Sequence, residues 1–125
     1  MIHHVSIGVR DLGRARRFYD ATFAPLGIRL LNDFGNTIGY GAENSRFWVS
    51  AVPKPVPADP ESGLHLCFDA KDRAAVDAFH AAAMKAGGKD NGKPGLRADY
   101  GPNYYAAFVV DPDGYRIEAY CGKAS

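Results

Sequence analysis

The chain has 125 residues, of which 46% are hydrophobic and 23% charged, with a formal net charge of +1. That length suits one domain with enough core to fold without a disulfide or a structural metal. The balanced, dispersed charge argues against a nucleic-acid surface or a polybasic membrane patch, and no apolar run is long enough to cross a bilayer.

The N-terminal run Met1-Ile2-His3-His4-Val5 has neither the basic nor the apolar region of a secretory signal. With only Cys67 and Cys121 as thiols, a reduced, cytoplasmic setting is expected. The first strand alternates Val5, Ile7 and Val9 against His4, Ser6 and Gly8. Asp11 is placed to cap a helix on which Leu12, Ala15, Phe18, Tyr19 and Thr22 recur at helical spacing, and Pro25 and Gly27 end it. Strands are predicted near 29–32, 37–40 and 46–52. The proline-rich run from Pro53 to Pro60 cannot pair centrally and reads as a linker. A strand at 64–68 then leads to a helix from about Asp72 to Gly87-Gly88, with Val76, Phe79 and Ala83 on its apolar stripe. A short strand is expected before Gly92, but Lys89 to Asn103 reads mainly as a long loop and candidate lid, rich in glycine, proline and polar residues. Strands at 104–110 and 115–121 flank the turn Asp111-Pro112-Asp113-Gly114.

The second half repeats the first. At one offset, that from His4 to His65, Ile7 falls on Phe68, Asp11 on Asp72, Phe18 on Phe79 and Gly27 on Gly88 without a gap. The order is β-α-β-β-β twice, with module one at about 1–53, a linker at about 54–62 and module two at about 63–122. Strand alternation then sends His4, His65 and, on the last strand, Arg116, Glu118 and Tyr120 to the side away from the helices. Two imidazoles and a carboxylate suit a divalent transition metal and leave positions open for substrate. Spacing alone leaves a second reading open, since single strand histidines and outward glutamates are commonly just solvated or satisfied. The repeat favours the shared ion because it puts both histidines at equivalent positions.

The segments His4–Leu12, Arg17-Phe18-Tyr19, Leu26-Gly27 and Asp111–Glu118 together resemble the vicinal oxygen chelate superfamily, which holds glyoxalases, bleomycin resistance proteins and extradiol dioxygenases. The resemblance covers essentially the whole chain. It implies an α+β fold in which two βαβββ modules form a curved mixed sheet around a cleft. It implies a divalent ion (Zn, Ni, Mn or Fe(II)) held by His4, His65 and Glu118, with Glu118 also a candidate general base. It further implies a small oxygen-rich substrate bound through adjacent oxygens, a glyoxalase-like lyase or isomerase activity, and a homodimer in which the site forms within one chain or across two. The alternatives are a metal-dependent dioxygenase and a non-catalytic drug-binding protein of the bleomycin-resistance kind. One departure stands out: glyoxalase I takes a fourth ligand, a glutamate, from the last strand of its first module, and Trp48 holds that place here.

Among other residues, Trp48 is a candidate aromatic wall of the cleft, with packing at a module or dimer contact as the other reading. Tyr100, Asn103, Tyr104 and Tyr105 cluster beside the expected lid as candidate substrate contacts, although strand aromatics commonly serve packing, and Arg116 on the last strand is a further candidate contact. Cys67 shares a face with His65 and either lines the pocket or is an inert thiol. His80 is expected to be a packed structural residue, and the Asp111–Gly114 turn to carry no chemistry.

Overall fold

The computed structural model describes residues 1–125. In chain order it has β1 (Val5–Val9), α1 (Leu12–Phe23), β2 (Arg29–Asp33), β3 (Thr37–Gly41) and β4 (Phe47–Ala51), followed by β5 (His65–Asp69), α2 (Arg73–Lys85), β6 (Lys89–Leu96), β7 (Tyr105–Val110) and β8 (Arg116–Cys121). Both helices begin at the expected caps. Asp11 accepts from the Arg14 amide at 3.0 Å, and Asp72 from the Ala75 amide at 2.8 Å. The buried stripe of α1 is Ala15, Phe18, Tyr19, Thr22 and Phe23, and that of α2 is Ala75, Val76, Phe79 and Ala83.

Each module keeps its own four-stranded mixed sheet, ordered β1-β4-β3-β2 and β5-β8-β7-β6. In each, the first strand runs parallel to the last and the other pairs are antiparallel. The fold is therefore α+β with two βαβββ modules, and within one chain the two sheets remain separate. One apolar core joins them. Phe68 of the second sheet lies 4.9 Å from the ring of Phe23 on α1 and 5.3 Å from that of Phe47 on β4, centroid to centroid. A polar seam adds to it, because the turn between β7 and β8 docks on the first module. The Tyr19 hydroxyl donates to Asp111 at 2.5 Å, Arg14 pairs with Asp113 at 3.0 Å, and the Tyr115 hydroxyl donates to the Gly8 carbonyl at 2.5 Å.

The segment from Lys89 to Asn103 departs from the expected long loop, because its first eight residues form β6. The strand lies at the edge of its sheet, and its register skips between Asp90 and Gly92 and again between Gly92 and Gly95. Bulges at a sheet edge accommodate Pro94, which has no amide to donate, and Gly92, whose φ is +151°. Only residues 97–104 are left to connect β6 to β7.

Candidate functional site

Parallel pairing of β5 with β8 sets His65 opposite Arg116 and Cys67 opposite Glu118, and β7 sets Phe108 opposite Glu118 from the other side. All of these side chains rise from the sheet face that the helices leave uncovered. Glu118 is the centre of the group, only 4% exposed. Its Oε1 lies 2.6 Å from His65 Nε2, and its Oε2 accepts a 2.6 Å hydrogen bond from the Tyr104 hydroxyl. Tyr104 is fixed in turn. Its carbonyl accepts from the Arg97 amide, its ring lies 4.3 Å from that of Tyr120, and Tyr100 meets it edge-on at 5.2 Å. An open cleft of about 680 Å³ lies above, lined by His65, Asp99, Tyr100, Tyr104, Phe108 and Glu118.

Burial, and then the neighbouring Glu118 carboxylate, hold the Tyr104 phenol well above its ordinary value, so it stays a hydrogen-bond donor. The Cys67 thiol is pushed up to about 12 by desolvation first and by Glu118 second, although the residue as a whole is exposed. The sulfur is crowded by its neighbours even though one side of the residue meets solvent, and a thiol so shifted is a poor nucleophile.

The other expected site residues are placed as follows. His4 precedes β1, is exposed, and contacts His3, with 2.9 Å between the two Nδ1 atoms. It does not join His65 and Glu118 in the same chain, where no three His, Cys, Asp or Glu side chains come together to hold an ion. Trp48 stands opposite Ser6 on the uncovered face of the first sheet and stacks on the exposed Phe34, with ring centroids 6.0 Å apart and planes 11° from parallel. The registers make this position the internal equivalent of Glu118, since Ser6 beside Trp48 repeats Cys67 beside Glu118. Arg116 shares the face of Glu118, but its guanidinium reaches the Asp59 carbonyl in the linker at 3.3 Å. Asn103 sits in the 97–104 connection and is not among the residues lining the cleft.

Tyr105 corrects an expectation. It points to the helical side, where its hydroxyl donates to Asp77 on α2 and Arg73 lies over its ring, because strand alternation turns it away from Tyr104. His80 packs against Asp90 at 2.8 Å. Phe108 and Asp99 are cleft residues that the sequence did not single out. Phe108 was within reach of a register argument from Glu118, whereas Asp99 depends on the path of a loop.

The residues fit a metal in chemistry and in part in placement. One imidazole nitrogen and one carboxylate oxygen already converge, and the second expected imidazole, that of His4, does not join them within the chain. A family model for the glyoxalase/bleomycin resistance protein/dioxygenase superfamily matches residues 1–119. The chain is similar to a glyoxalase/bleomycin resistance protein from Albidiferax ferrireducens T118, whose crystal structure superposes with a TM-score of 0.83 at 33% identity over 94% of this chain and 95% of that one. It shares its fold with the fosfomycin resistance protein FosX of Mesorhizobium loti, with a TM-score of 0.70 at 20% identity over 97% and 91%. The uncharacterized protein YqjT of Bacillus subtilis is 27% identical over 124 residues, 94% of this chain and 95% of that protein.

Proposed function

The chain belongs to the glyoxalase/bleomycin resistance protein/dioxygenase superfamily, and from that premise we propose that it is a metal-dependent, glyoxalase-like lyase or isomerase acting on a small oxygen-rich substrate. One observation carries the reading: a nearly buried carboxylate, Glu118, in direct contact with the His65 imidazole at the floor of an open cleft. His65 Nε2 and Glu118 Oε1 would hold a divalent ion together with His4 of a second copy, in a homodimer whose uncovered sheet faces meet. Such an ion would supply a Lewis acid for two adjacent substrate oxygens. Glu118 would also act as the general base at Oε2, which accepts one hydrogen bond from Tyr104 and keeps a second lone pair to take up and return a substrate proton. Tyr104, Tyr100 and Phe108 provide walls that orient the substrate and limit water.

The test is metal binding. Purified protein titrated with Zn, Ni, Mn or Fe(II) is expected to take up one ion per chain and to melt at a higher temperature when loaded. No uptake and no shift with any of the four would end this reading. The aromatic walls would then favour the binding-protein alternative, sequestration of a drug-like molecule without chemistry.

A further inference from the structure

Ligand geometry around Glu118 is set by a residue that is not itself a ligand. Both carboxylate oxygens are engaged in the structure, Oε1 with His65 Nε2 and Oε2 with the Tyr104 hydroxyl, each at 2.6 Å. The two contacts differ in kind. His65 is a ligand candidate whose nitrogen would turn to an ion. The Tyr104 phenol is a donor held in place by three independent restraints: the Arg97–Tyr104 backbone bond, the Tyr120 ring and the Tyr100 edge. Tyr104 also belongs to the short connection between β6 and β7 rather than to the strands carrying His65 and Glu118, so its reach to Glu118 is a product of tertiary folding.

We infer that Tyr104 is a positioning residue that occupies Oε2 of Glu118 and so leaves Oε1 alone for a divalent cation. The inference rests on the proposed metal centre and adds to it a one-oxygen carboxylate ligand with a defined orienting partner. Carboxylates that bind metals are commonly fixed in this way by a hydrogen bond from outside the ligand set. Loss of such a partner typically costs about 10–100-fold in metal affinity.

The experiment titrates the full-length protein with Co(II), whose visible bands lose intensity as coordination number rises. Three proteins are compared: wild type, Tyr104→Phe and Tyr105→Phe. The last removes a neighbouring hydroxyl that bonds Asp77 on the opposite side of the sheet. Tyr104→Phe is expected to bind Co(II) about tenfold or more weakly, with weaker visible bands as the freed Oε2 also turns to the ion, while its metal-free melting temperature stays near that of Tyr105→Phe. Tyr105→Phe is expected to match wild type in affinity and spectrum. Affinity of Tyr104→Phe within twofold of wild type overturns the inference, as does a loss of affinity with an unchanged spectrum, which would mean that the hydroxyl does not hold Glu118 to a single ligating oxygen. Absence of Co(II) binding in wild type is a different failure, because it removes the metal centre itself.

Discussion

Glu118 on β8 and Asp111 in the turn between β7 and β8 are both buried carboxyls, and their surroundings give them different work. Glu118 opens onto the cleft, so replacing it by Gln keeps its shape and removes the charge a cation needs. Glu118→Gln is expected to lower metal affinity at least tenfold, since even losing an outer hydrogen-bond partner of a ligand costs about 10–100-fold, while calorimetry of the metal-free protein shows little change in melting. Asp111 is closed in by Tyr19 and accepts from the amides of Asp113 and Tyr115. Burial pushes its carboxyl up to about 6 from an ordinary 3.8, against the downward pull of those hydrogen bonds. A carboxyl raised in the folded state binds its proton more tightly there than in the unfolded chain. Its contribution is therefore fully present below about pH 4 and is lost as pH rises through about 6. The size is about 3 kcal/mol for a shift of this order. Melting curves across pH 4–8 are expected to show this decline in wild type and a flatter profile in Asp111→Asn. The turn expected to carry no chemistry thus holds a buried ionisable group, which its sequence, an ordinary turn signal, does not reveal.

At the level of single elements, β3 makes room for the aromatic pair on the first sheet. Gly39 lies beside Trp48, and a methyl group there would come within 2.8 Å of the indole and 2.5 Å of the Ser45 hydroxyl. Gly39→Ala is expected to cost about 1–3 kcal/mol, as overpacking does, and to shift the emission of Trp48, the sole tryptophan. Denaturant unfolding followed by fluorescence reads both. The helices are simpler. Asp72→Ala removes a cap bonded at 2.8 Å and is expected to cost about 1 kcal/mol. Both helices were legible in the sequence because capping and a 3.6-residue apolar period are local signals. β6 was mostly hidden, because an edge strand with bulges, a proline and glycines carries no alternation to read. Tyr104 and Tyr105 were both plausible cleft residues in the sequence, but only the pairing of β7 with β8 settles which of two adjacent tyrosines faces Glu118.

For the whole molecule, the decisive question is whether His4 of one copy joins His65 and Glu118 of another. If each site takes His4 from one copy and His65 with Glu118 from another, a chain carrying His4→Ala and a chain carrying Glu118→Gln each bind metal poorly alone. Mixed dimers of the two restore one intact site in two, whereas sites contained within single chains would gain nothing on mixing. Metal content of mixed, refolded protein, with sedimentation to establish the dimer, is expected to show that recovery. Composition, the single-offset repeat and strand alternation sufficed for the two-module α+β plan and for the face on which His65 and Glu118 lie, since those follow from local periodicity along the backbone. The contact between His65 and Glu118, the capping of Glu118 by Tyr104 and the separation of His4 from both depend on strand register and on how two sheets share a core. Those are long-range relations, fixed when distant segments pack together, and no local pattern of residues encodes them.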